Sequence, residues 1–204
     1  MNNIYDYFEN KNYKPKTIVE VGSATGIDTL KMYNTWQAEE IIAYEPYGPN
    51  FQVLQKACEN YPRIKCYQVA VSNKTGEQPF YFQKTPSRYG NTESSSLLPP
   101  LQHARDFPEV EFEETFVPCC ILWDFIERKD RDLLWLDTQG SEYQILETIN
   151  SEFKYVYTEF NNQEAYAGQR NLTDLIELMK SKKYSVAKVF EWDVLFRLDF
   201  RRKI

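Results

Sequence analysis

The chain has 204 residues, 24 Lys and Arg against 30 Asp and Glu, and a net charge of −6. Its length suits one domain with a real core, and its acidity counts against a protein that grips nucleic acid through phosphates. The aromatic content of 16 % excludes bulk disorder, and no apolar run nears the roughly 20 residues needed to span a bilayer.

In chain order, MNNIYDYFENKNYK lacks the basic and apolar regions of a secretory signal. TIVEVG is a β-branched run ending in Gly22, and predicts a strand. DTLKMYNTW carries Leu30, Tyr33 and Trp36 at helical spacing, and EEIIAYEP is a second strand stopped by Pro46. PNFQVLQKACENY is a helix with Pro49 in its first turn and Phe51, Leu54 and Cys58 on one face. RIKCYQVAVS is expected as one third strand, with NKTG as a hairpin turn and QPFYFQK as the next strand. Residues 84–114, rich in Ser, Pro and charge, interrupt the alternation, and a segment of that length inside a compact domain is usually functional. ETFVPCCI then predicts a strand and LWDFIERK a short helix. DLLWLD is apolar enough for the middle of a parallel sheet, followed by the helix SEYQILETI and the strand FKYVYTEF. NLTDLIELMKSKK is a helix capped by Asn171 with Leu172, Leu175, Ile176 and Met179 as its stripe. YSVAKVF and DVLFRLDF are joined too tightly for a parallel crossover, so they should pair antiparallel. The pattern predicts one α/β domain over residues 1–204: a doubly wound, Rossmann-like, mostly parallel seven-stranded sheet with a C-terminal antiparallel hairpin.

Ligands of such sheets bind at the carboxyl ends of the strands, near the point where strand order reverses. The first strand ends in Glu20-Val21-Gly22-Ser23-Ala24-Thr25-Gly26, where Gly22 allows a tight turn and Gly26 a close backbone approach and a helix start. The spacing is looser than the phosphate-binding GxGxxG, and Glu20 repels a pyrophosphate but attracts a cation. Glu45, ahead of Pro46, lies about twenty residues further on, where an acid accepts hydrogen bonds from ribose hydroxyls. Ala70 and Val71, before Ser72, are small enough to pack on an adenine face. Asp137 ends an apolar strand and is expected to be partly buried; Glu159 ends the next strand on the same edge. Glu142 reads as a helix-dipole residue. Cys58, Cys66, Cys119 and Cys120 contain no CxxC pair and point to buried thiols in a reducing cytoplasm. His103 is the single histidine: either an imidazole base within the 84–114 segment or a surface-loop residue.

From about Thr17 to Leu198 the chain resembles the S-adenosylmethionine-dependent methyltransferases of the FkbM family. The motifs are VEVGSATG, AYEP, AVSNKTGE, ESSSLL, CCILWDFIE, DLLWLDTQGSEYQIL and KSKKYSVAKVFEWDVLF. Trp135 stands where many members carry Lys, Ala24 where Asn is common, and Lys183 where Gly precedes Tyr184. The resemblance implies a class I methyltransferase fold and O-methylation of a sugar or related hydroxyl, with S-adenosylhomocysteine as product. Cofactor contacts are then expected from Glu20, Gly22, Ser23, Ala24, Gly26, Glu45, Pro46, Ala70, Val71, Ser95 and Asp137. An alcohol needs its proton removed, and Asp137, Glu159 and His103 are the candidate bases. Asp137 and Glu159 also suit a divalent cation, so metal use stays open. The 84–114 segment is expected to cover the acceptor. Its Tyr89 and Phe107, with Tyr166, either are ordinary packing residues or stack on sugars, and Arg88 and Arg105 either are solvated surface or recognise an anionic acceptor group, the first reading being favoured in each case. The expected partner is a sugar or other hydroxyl-bearing acceptor, with no nucleic acid. Rival readings are a nicotinamide-dependent oxidoreductase, a non-catalytic cofactor- or glycan-binding module, and an N-methyltransferase of a small molecule or protein.

Overall fold

The computed structural model describes residues 3–85, 94–129, 131–150 and 152–199. The chain runs through α1 (Ile4–Asn10), β1 (Thr17–Val21), α2 (Ile27–Trp36), β2 (Glu40–Tyr44), α3 (Gly48–Cys58), β3 (Ile64–Tyr67), β4 (Ala70–Ser72) and β5 (Gly76–Gln83). It continues through α4 (Gln102–Asp106), β6 (Phe112–Ile121), β7 (Arg131–Leu136), α5 (Glu142–Thr148), β8 (Phe153–Glu159), α6 (Leu172–Ser181), β9 (Tyr184–Val189) and β10 (Asp193–Leu198). The main sheet has seven strands in the order β3-β2-β1-β7-β8-β10-β9, parallel except for β10, as the sequence pattern anticipates. β1 lies between β2 and β7, so strand order reverses between β1 and β7 and leaves a crevice above their carboxyl ends.

Alternation along β1 sends Ile18 to one face and Val19 and Val21 to the other. The first face packs under α1, α2 and α3 through Phe8, Met32, Trp36 and Leu54, and the second under α5 and α6 through Ile145, Leu146, Leu175 and Met179. Each such side chain, fully buried, contributes about 1.5–3 kcal/mol. Asn171 caps α6 as expected, accepting from the Asp174 amide at 3.1 Å.

Four local expectations are corrected. RIKCYQVAVS is two strands: β3 stays in the main sheet, and β4 leaves it after Gln68-Val69 to join a second, three-stranded sheet in the order β4-β6-β5. NKTG therefore closes no hairpin, because β4 and β5 both pair with β6 and not with each other. LWDFIERK forms only a single 3₁₀ turn, Leu122–Asp124, whose Asp124 carboxylate accepts from the Ile121 amide. An additional helix, α1, is capped by Asn3 and packs Ile4, Tyr7 and Phe8 onto the sheet; its i, i+3, i+4 pattern is visible in the sequence. Asp132 ties this N-terminal segment down, accepting from Tyr13 Oη, the Lys16 and Thr17 amides and Lys154 Nζ. Lys183 sits at φ +70, which explains why glycine suits that position in the family it resembles.

Candidate active site

The turn after β1 is shaped by backbone, not side chains. Gly22 (φ +88) donates to the Tyr44 carbonyl of β2, and a Cβ there would lie 2.8 Å from the Asp137 carbonyl carbon and closer still to its oxygen. Ala24 is also left-handed, at φ +44, and Gly26 starts α2. A Cβ on Gly26 would meet Leu54 of α3 at 2.8 Å, so Gly26 serves helix packing and lines neither cleft.

Two clefts meet at this turn, sharing Gly22, Ala24 and Asp137. The first, of about 520 Å³, runs toward the small sheet and is lined by Glu45, Pro46, Ala70, Val71 and Ser95, all expected from the sequence. Asn50, Phe80, Leu97, Thr138 and Ser141 also line it. No local signal marks Phe80, and Leu97 is marked only as part of ESSSLL; the pairing of β5 with β6 and the bridge from Ser96 to Tyr81 bring them there. Asn50, one residue past Pro49 in the first turn of α3, is marked by its place just beyond the second strand end. The second cleft, of about 420 Å³, is lined by Glu20, Ser23, Asp28 and Trp135.

The acids differ in their settings. Glu45 is 5 % exposed; its Oε2 accepts from the Ala24 amide at 2.9 Å and its Oε1 from the Tyr47 amide at 2.8 Å. Burial pushes its pKa up to about 7 against those bonds. Glu20, 1 % exposed, accepts from Thr29 Oγ1 at 2.5 Å, and burial pushes it up to about 8. Asp137 corrects an expectation: its side chain is exposed to the cleft instead of partly buried. The surrounding protein still displaces bulk water, which raises its pKa to about 6, with Glu142, Asp193 and Asp28 adding to the rise. Glu159, half-buried, lies well above the usual carboxylate range because of desolvation and the nearby Asp137 charge. Gln139 Nε2 bridges the two, donating to Asp137 Oδ1 at 2.8 Å and Glu159 Oε2 at 3.0 Å. Glu142 is more than a dipole residue: it is buried and accepts from the Thr138 amide and hydroxyl and from the Gly140 amide, bracing the turn that carries Gln139.

His103 lies in α4 and lines neither cleft; its ring stacks on Tyr166 at 5.4 Å and packs against Phe107 and Phe112. Burial lowers its pKa. Tyr166 is 2 % exposed and packs inside the protein, leaving no ring face for a sugar, and Arg105 borders a separate surface recess. Arg88 and Tyr89 lie outside the described residues. Among the described residues, no group of three or more His, Cys, Asp or Glu is arranged to hold a metal ion. Between Asp137 and Glu159 stands an amide nitrogen, a donor that cannot ligate a cation.

The family model described as "Methyltransferase FkbM domain" matches residues 20–186, from the acid before the glycine turn to the penultimate strand. The chain belongs to the FkbM methyltransferase family. It is 24 % identical over 193 residues to the 2-O-methyltransferase NoeI of Sinorhizobium fredii, covering 88 % of this chain and 78 % of that protein. Solved structures share the fold of this FkbM methyltransferase at low identity. One is a ribosomal protein L11 methylase from Lactobacillus delbrueckii subsp. bulgaricus (TM-score 0.54, 9 % identity, 94 % of this chain and 75 % of that one). Another is a precorrin-6y C5,15-methyltransferase from Geobacter metallireducens (TM-score 0.52, 8 % identity, 95 % and 87 %). The FkbM methyltransferase is thus a class I, S-adenosylmethionine-dependent enzyme. No helix among its described residues is long and apolar enough to cross a membrane.

Proposed function

We propose that this enzyme methylates a hydroxyl group of a sugar or related uncharged small molecule. The observation that carries the reading is the Asp137 carboxylate at the junction of the two clefts, linked through Gln139 to Glu159 behind it. An alcohol is a poor nucleophile and needs a base beside it, whereas an amine acceptor needs none of comparable strength. The 2-O-methyltransferase relative supports the same chemistry. Among the described residues that line the two clefts there is no Lys, Arg or His, so these linings offer a phosphorylated or carboxylated acceptor no counter-charge.

The residues present fit the cofactor. Gly22 lines both clefts with bare backbone, Glu20 and Glu45 are buried acids on either side of the turn, and Pro46, Val71, Phe80 and Leu97 make an apolar slot of adenine character. Bound S-adenosylmethionine supplies an electrophilic methyl group on a sulfonium centre. Glu45 would hold the ribose hydroxyls, the Gly22–Ala24 turn and Glu20 the cationic end, and Ala70, Val71 and Ser95 the base. Asp137, which lines both clefts, would take the acceptor's proton at its carboxylate and hold the acceptor oxygen for attack. His103 serves instead to pack the 94–107 segment, which borders the first cleft at Ser95 and Leu97 and forms the acceptor's cover. The four free thiols suit a reducing, cytoplasmic compartment.

Glu45→Ala is expected to weaken S-adenosylhomocysteine binding about 10–100-fold by calorimetry, as two charge-assisted hydrogen bonds are lost; unchanged affinity removes the ribose role. The acceptor class is tested with isotope-labelled cofactor on parallel panels of neutral glycans, amines and phosphorylated sugars. Label is expected on neutral hydroxyls, and label confined to amines overturns the reading.

A further inference from the structure

The side-chain amide of Gln139 uses both of its donor hydrogens, and its oxygen shares the single Tyr166 hydroxyl hydrogen with the Ser94 carbonyl. The two Nε2 hydrogens serve the Asp137 and Glu159 carboxylates, and Oε1 lies 3.2 Å from the Tyr166 hydroxyl. The backbone is set for this: Gln139 lies at φ +55, and its carbonyl accepts from Ser96 Oγ at 2.7 Å. Tyr166 is anchored in turn, with its hydroxyl 3.0 Å from the Ser94 carbonyl and its ring against Gly140, where a Cβ would meet the ring at 3.2 Å. The segments on either side are laced together by the Leu101 and His103 amides on the Ala165 carbonyl and the Ala167 amide on Pro99. Turning the amide over would aim its oxygen at two carboxylates, a repulsive arrangement, so only one orientation is stable.

We propose that Gln139 is a positioning residue for the base: it holds Asp137 and Glu159 as a fixed pair with Asp137 as the proton acceptor, while Tyr166 locks the amide from the neighbouring segment. The proposal rests on the hydroxyl-methylation reading and extends it. The charges around the pair make such a residue necessary. Asp28, Glu142 and Asp193 face it from α2, α5 and β10 and oppose a further negative charge, while Glu20 of β1, pushed up by burial to about 8, stays largely protonated at neutral pH. The phenols of Tyr157 and Tyr166, also beside it, are pushed up by burial and stay neutral. Gln139 supplies hydrogen bonds that favour the ionised form of both carboxylates, and Asp137, which lines both clefts, is the one of the two that an acceptor can reach.

The test compares wild type, Gln139→Leu and Tyr166→Phe by two readouts. Carbon-13 NMR of labelled Asp and Glu carboxyls follows the Asp137 titration in the free protein, and the pH–rate profile follows methyl transfer to the acceptor found in the glycan panel. In Gln139→Leu the Asp137 midpoint and the acidic limb of kcat should both move up by roughly one pH unit, the loss of one charge-assisted hydrogen bond. Tyr166→Phe should move both in the same direction by less. A uniform fall in rate with both midpoints unmoved overturns the proposal and leaves Gln139 as a loop brace. If no hydroxyl acceptor is found, the functional reading fails, while the NMR midpoint still decides the role of Gln139. Should Gln139→Leu not fold, Gln139→Glu replaces it: a third carboxylate there must raise the Asp137 midpoint, and an unmoved one again overturns the idea.

Discussion

Gly22→Ala should lower the melting temperature by roughly 10 °C and abolish measurable binding of S-adenosylhomocysteine. The added Cβ meets the backbone of Asp137, not a mobile side chain, so relief requires the ends of β1 and β7 to move apart. Overpacking of this kind costs about 1–3 kcal/mol, and a left-handed non-glycine residue about 1–2 kcal/mol more. For a chain of this size each kcal/mol lowers the midpoint by roughly 2–4 °C. Gly76→Ala is the control. Gly76 is also left-handed, at φ +113, but nothing lies within 4 Å of a Cβ there. Its loss should be limited to backbone strain, with cofactor binding intact. Equal losses for the two variants in thermal denaturation would refute the steric account of Gly22.

Asp137→Asn should slow methyl transfer about 10²–10⁴-fold, the usual contribution of a general base. The substitution keeps the side chain's shape and leaves Oδ1 to accept from Gln139, so the loss should fall on kcat more than on the KM for the acceptor. The sign of the pH dependence follows from the raised pKa. Asp137 accepts a proton only when ionised, above about pH 6, so the wild-type rate should climb through that region and then level. The residual rate of the variant should lack that limb. Steady-state kinetics across pH 5–9 read both effects; a variant that keeps the limb would assign the base elsewhere, with Glu159 the next carboxylate in reach.

The candidate site was legible in sequence to the extent that it depends on strand ends. Glu20, Glu45, Asp137 and Glu159 each close a β-run, and parallel strands necessarily deliver their carboxyl ends to one edge of the sheet. Alternation and helical stripes depend on neighbours within a few residues, so Leu175 and Met179 on α6 and the Asn171 cap could be read directly. The break in RIKCYQVAVS could not. Ala70–Ser72 is as apolar as the residues before it, and it leaves the main sheet only because Cys119–Ile121, some fifty residues on, offers it a partner.

The lone histidine illustrates the same division. Composition made His103 the only imidazole available as a base, but long-range packing decides where an imidazole points, and this one stacks on Tyr166 away from the cleft linings. The sequence by itself determined the order of strands and helices, the glycine turn and the row of acids at the sheet edge, because each follows from local periodicity and backbone sterics. Tertiary structure alone decided which acids meet, that Asp137 faces the cleft, and that Gln139 spans Asp137 and Glu159. Those outcomes depend on side chains brought together across three strands and a distant loop, where desolvation and neighbouring charge set the chemistry and no local pattern records it.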